Sequence, residues 1–118
     1  MNIEEVREYC LQKKGVTEGF PFDNDTLVFK VMDKIFLLTS LTFQPFRVNL
    51  KMDSELAKEY REKYPDVIPG YHMNKKHWNT VEIDGSLSDD MIKNLIEESY
   101  NLVVIALPRK KQQGIKNL

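Results

Sequence analysis

The chain has 118 residues, 42% of them hydrophobic and 30% charged, with a formal net charge of −1. That length suits one domain with a real core, and the composition excludes a disordered chain. A near-neutral balance argues against indiscriminate attraction to polyanions, and no apolar run approaches the roughly 20 residues that span a bilayer.

The first ten residues, MNIEEVREYC, are acidic and amphipathic, unlike a signal peptide. Cys10 is the single cysteine and has no partner for an internal disulfide, which favours a reducing compartment and a cytoplasmic location. Asn2 with Glu5 three residues on predicts a capped helix whose Ile3, Val6 and Cys10 share one face. Lys13 and Lys14 fall in its last turn, and Gly15 stops it. VTEGFPFDND reads as a loop. TLVFKVM and KIFLLTSL are β-branched and aromatic runs joined by a tight turn at Asp33, a hairpin in which Val28 and Met32 oppose Leu27, Phe29 and Val31. After Pro45, FRVNLK places Phe46, Val48 and Leu50 on one side and Arg47, Asn49 and Lys51 on the other, the alternation of a half-buried strand.

Asp53 predicts the cap of a second helix that presents Leu56 and Tyr60 and ends at Tyr64, because Pro65 disfavours helix in the residue before it. DVIPGYH and HWNTVEID predict two short strands around a turn at residues 73–76. Ser88 caps the last helix, whose Ile92, Leu95, Ile96, Ser99, Leu102, Val103 and Ala106 form an inward stripe before Pro108. The expected fold class is α+β, order α-β-β-β-α-β-β-α, with an antiparallel five-stranded sheet and the helices on one face. Residues 1–107 form the single expected domain, and 108–118 a basic tail.

Charge is unevenly distributed along that order. The tail carries Arg109, Lys110, Lys111 and Lys116 with no acid, so thirteen cations and eighteen acids leave residues 1–107 at −5. Residues 26–52 balance at +3, residues 71–81 hold Lys75 and Lys76 without an acid, and residues 88–107 balance at −3. With helices on one face, the expectation is a positive sheet side and a negative helix side.

VTEGFPF, TLVFKV, RVNLK, YPDVIPGYHMNKKHWNTVEIDGSL and SYNLVV together resemble the MmcQ/YjbR-like family of small bacterial proteins, over nearly the whole chain to about Leu107. The resemblance implies a two-layer α+β domain related to secretion-chaperone-like folds. It also implies DNA binding, which is ascribed to the family on the argument of a double-wing arrangement, a fold-level analogy. The tail lies outside the shared segment.

The densest chemistry lies in PGYHMNKKHW. His72 and His77 flank a loop, but zinc needs further ligands, and Asp66, Asp84 and the distant Cys10 are remote candidates. No metal or other cofactor is expected. Asp23 and Asp25 suit a turn and lack the other ligands of a calcium loop. Glu18 is a carboxylate that nothing in the sequence converges on, no nucleophile elbow or phosphate loop is present, and no enzyme is expected. Lys30, Arg47, Asn49, Lys51, Lys75, Lys76, His77 and Trp78 are candidates for a nucleic-acid surface, cations meeting phosphates and an aromatic stacking on bases. The plainer alternative is that Trp78 is a core anchor and the lysines merely solvate one face. The competing class is a protein-interaction module that offers a sheet or helix face, or an edge strand, to a peptide or a second copy.

Overall fold

The computed structural model describes residues 1–70, 74–83 and 85–118. Ten elements follow one another: α1 (Ile3–Leu11), β1 (Val16–Gly19), β2 (Thr26–Val31), β3 (Lys34–Ser40), β4 (Arg47–Lys51), α2 (Ser54–Lys63), β5 (Val67–Pro69), β6 (Trp78–Glu82), α3 (Asp89–Ile105) and α4 (Arg109–Lys116). The sheet is antiparallel, but it has six strands, in the order β1-β2-β3-β4-β6-β5. The expected five-stranded layout is thereby corrected twice. VTEG, expected in a loop, is an edge strand paired with β2, and the basic tail is a helix.

Local chemistry sets three of the helix starts. Asn2 and Glu5 form a reciprocal capping box on α1, the Asp53 side chain accepts from Glu55 N–H, and Ser88 Oγ accepts from Met91 N–H. Helix α1 ends earlier than expected, at Leu11, which puts Lys13 and Lys14 in the following turn before Gly15 at φ +78°. Its Val6 and Cys10 meet Ala57 of α2 and Ile92, Leu95, Ile96, Tyr100 and Val103 of α3 in one core under the sheet. From the sheet, Leu27, Phe29, Val31, Val48, Leu50 and Val81 complete it, so α1, α2 and α3 lie on one face. Ala106, expected on the stripe, is the exposed C-cap of α3.

The β2–β3 turn has Met32 and Asp33 both at positive φ (48° and 69°), the twist a two-residue hairpin requires. A bulge next to it, where the register jumps between Phe29 and Lys30, lets Phe36 and Leu37 both enter the core. The bulge has a cost. The β3–β4 ladder is confined to Leu37 and Leu38 opposite Leu50 and Asn49, and side chains close the seam beyond it. Ser99 Oγ donates to Phe36 C=O (2.5 Å) and accepts from Lys51 N–H (2.9 Å), while Thr39 Oγ1 donates to Arg47 C=O (2.6 Å).

Ser99 is fully buried, so Ser99→Ala strands a donor and an acceptor at once. We expect a loss of about 1–3 kcal/mol in urea unfolding, the cost of buried unsatisfied groups. An unchanged midpoint would show that the seam holds without the hydroxyl.

A candidate nucleic-acid interface on the open sheet face

Strand alternation divides the candidate residues cleanly. Phe29, Val31, Val48 and Leu50 point into the core, so Lys30, Arg47, Asn49 and Lys51 project from the face that the three helices leave uncovered. The register of β6 places Trp78 opposite Lys51, Thr80 opposite Asn49 and Glu82 opposite Arg47 on that same face. Trp78 is therefore half-buried on the open side, not a core anchor.

Strand direction then separates the candidates along the sheet. Lys30 pairs with Thr17 on one side and Ile35 on the other, and Lys51 pairs with Trp78. Since Leu37 faces Leu50, Lys51 stands level with the bulge beside Ile35. The result is a transverse row, Thr17–Lys30–Ile35–Lys51–Trp78, over five adjacent strands. At about 4.8 Å per strand it spans roughly 19 Å. Residues 74–77 lead into Trp78 at the same end of the sheet, and both Lys75 and Lys76 are exposed. This turn is tied down by the backbone of His77, which accepts from Met52 N–H (2.6 Å), and by Arg61 of α2, which donates to Lys75 C=O (3.0 Å). Gly70 donates to Trp78 C=O (2.9 Å), and its missing Cβ would stand 3.0 Å from that oxygen.

Two candidates do not join the row. Arg47 lies at the far end of β4, four residues or roughly 13 Å from Lys51, across from Glu82 and with its guanidinium 3.5 Å from the Phe43 ring centre. Asn49 is spent on the sheet itself: its amide donates to Leu38 C=O (3.2 Å) and its oxygen accepts from Thr80 Oγ1 (2.6 Å). Val28 is also on the open face, buried beside a cavity of about 310 Å³ that Phe20, Pro21, Thr17 and Lys30 line, while Met32 packs toward the core and α4.

The remaining carboxylates and the thiol have local roles. The Arg7 guanidinium grips Glu18 through Nε and Nη2 and holds its carboxyl below the usual carboxylate range. Asp23 accepts from Asp25 N–H, Thr26 N–H and Thr26 Oγ1, an Asx-type turn that likewise lowers its pKa. Asp66 accepts from both Ser86 N–H and Oγ (2.7 Å each), which lowers its carboxyl as well. Among the described residues no three His, Cys, Asp or Glu side chains are grouped to hold a metal, and His72 and Asp84 lie outside the described residues. No helix among the described residues is long and apolar enough to cross a membrane.

Arg61, in α2, escaped the sequence reading because nothing local links it to Lys75. An antiparallel six-stranded sheet with one face covered by helices and the other open defines a small two-layer α+β domain. Its family is clear: a YjbR profile matches residues 11–102, and the chain belongs to the YjbR family. It is similar to the uncharacterized protein YjbR of Escherichia coli K12, 37% identical over 118 residues and all of both chains. It is also similar to YbdF of Escherichia coli O157:H7, 38% identical over 96% of this chain and 93% of that one. Among solved structures, the DUF419 protein DR2400 of Deinococcus radiodurans superposes with a TM-score of 0.91 at 36% identity, over 98% of this chain and 88% of that one. A Pseudomonas syringae protein follows at 0.74 and 31%, over 86% and 98%.

Cys10 offers a test of the packing beneath this face. It is fully buried, and desolvation pushes its thiol up to about 12. A thiol reagent at pH 8 should label it only as fast as the domain opens, and at once in denaturant. Rapid labelling of native protein would contradict the placement of α1.

Proposed function

We propose that this is a cytoplasmic protein that binds DNA weakly through the open sheet face, and that binding rather than catalysis is its activity. The observation that carries the reading is the transverse row, with Lys30 and Lys51 two strands apart, Trp78 beside Lys51, and Lys75 and Lys76 continuing past it. Ammonium groups at that spacing can neutralise successive phosphates, and a half-exposed indole can stack on a base or sugar. About four phosphate contacts support an affinity no better than roughly micromolar at physiological salt, with little sequence discrimination.

A second reading has its own observation. At the other end of the sheet, Leu41 and Phe43 are exposed and, with Met1, Ile3 and Phe46, line a cavity of about 360 Å³. An apolar surface of this kind suits a peptide or protein partner.

Salt distinguishes the two. Trp78 is the only tryptophan, so its emission reports on the row itself. Short DNA should perturb it at low salt. Lys75→Ala with Lys76→Ala should reduce the salt slope by about 2, and Lys51→Ala by about 1, at roughly 0.9 per lost phosphate contact. Arg47→Ala should change the slope little. If Arg47→Ala proves as harmful as Lys51→Ala, the row is not the binding track. Absence of any DNA response, with salt-independent peptide binding, would establish the second reading instead.

A further inference from the structure

Helix α4 bears four of the chain's cations, Arg109, Lys110, Lys111 and Lys116, and no acid. It is not a free tail. Ile115 is buried, and it faces Gly15 together with Leu118 and Val31, while Gly114 lies against Met32 of the β2–β3 turn. Gln112 Nε2 donates to Leu107 C=O (2.8 Å), closing the end of α3 and fixing how α4 departs from it.

This docking has a positional consequence. One turn before Ile115, Lys111 lines a small cavity with Gly15, Thr17, Met32 and Asp33. Thr17 and Asp33 also line the neighbouring cavity with Lys30. Thr17 is the first residue of the transverse row, so Lys111 stands beside the row's β1 end while Ile115 packs into the core, and Lys75 and Lys76 stand beyond the β6 end. Among the described residues none of α4's cations makes an ion pair. Asp33 is the acid at the junction.

We infer that docked α4 is the second end of the DNA track: the polyanion runs from Lys75 and Lys76 along Trp78, Lys51 and Lys30 to Lys111, Lys110 and Arg109. The inference rests on the DNA reading above and adds a partner surface to it. A row of about 19 Å corresponds to roughly six base pairs at 3.4 Å each, before either end is counted. Duplexes shorter than that reach only one end.

The test uses the full chain, Trp78 emission and a 16-base-pair duplex. Arg109→Ala, Lys110→Ala and Lys111→Ala together remove cations from the first turn of a helix, where the macrodipole disfavours them, so the variant should fold at least as well as the parent. We expect unchanged or raised thermal stability, a fall in the salt slope of about 2–3, and weaker binding. Ile115→Ala keeps every charge but loosens the docking, and should weaken binding at least threefold. Asp33→Asn should strengthen it. If DNA binding responds to Lys75 and Lys76 but not to the α4 triple variant, the sheet reading stands and this inference fails. Loss in the triple variant with full binding by Ile115→Ala would mean that α4 acts only as a tethered charge, and would overturn it too. If the parent chain does not bind DNA at all, both fall together.

Discussion

The open face depends on how β3 and β4 are joined, because that seam fixes the level at which Lys51 meets the rest of the sheet. The bulge at Phe36 turns two consecutive side chains into the core and in doing so leaves the β3–β4 ladder short. Ser99 repairs it from below, linking Phe36 C=O to Lys51 N–H. A hydroxyl suits this position because it can donate and accept at once, which no apolar side chain can. The same turn of α3 carries Tyr100, edge-on to Phe36 and donating to Lys14 C=O (2.6 Å), and Glu97, which pairs with Lys13. One contact thus aligns β3, β4, α3 and the segment after α1. Phe29 and Leu50 both pair with Leu37, so the residues that follow them, Lys30 and Lys51, stand level on the open face.

The electrostatic division of the molecule follows from this layering. Helix α3 carries its acids on the covered side, where Asp90, Glu97 and Glu98 border a groove with Tyr60. Burial pushes the Glu98 carboxyl up, which weakens that side's charge as the pH falls. The shortest dimension of the molecule is 26 Å. A Debye length of about 8 Å at physiological salt hides the acidic side from a polyanion on the sheet, whereas about 30 Å at 0.01 M does not. The acids therefore act on charge at the open face at low salt and hardly at physiological salt. Net charge of −1 describes neither face.

What the sequence revealed was what is local. The caps at Asn2, Asp53 and Ser88 lie within three residues of the groups they satisfy, and RVNLK shows its two faces by alternation alone. β1 was invisible because four residues with a half-buried, exposed, exposed, half-buried pattern show no period of two, and Gly19 and Pro21 read as loop. α4 was invisible because it has one buried apolar residue, an internal glycine and Pro108 where a capping side chain would stand. Of the site, the sequence could say that Lys30, Arg47 and Lys51 share a face, since that needs only parity. It could not say that Arg47 and Lys51 meet different neighbours across the sheet. That depends on which residue of β6 lies opposite each, and Glu82 falls one position beyond the stretch that reads as purely basic.

The helix ends make a last comparison within one chain. α1, α2 and α3 each place acids in the first turn, Glu4 and Glu5, Glu55, and Asp89 and Asp90, in keeping with the helix macrodipole. α4 begins Arg109-Lys110-Lys111 and has no side-chain cap. Three cations there cost about 0.3–1 kcal/mol each at low ionic strength, and the missing cap about 1 kcal/mol more. Burial of Ile115, at most about 1.5–3 kcal/mol, and the Gln112 bond only roughly offset that. Folding energetics alone therefore leave α4 near balance. A helix so placed is held marginally in isolation, and an anion along its first turn would hold it more firmly.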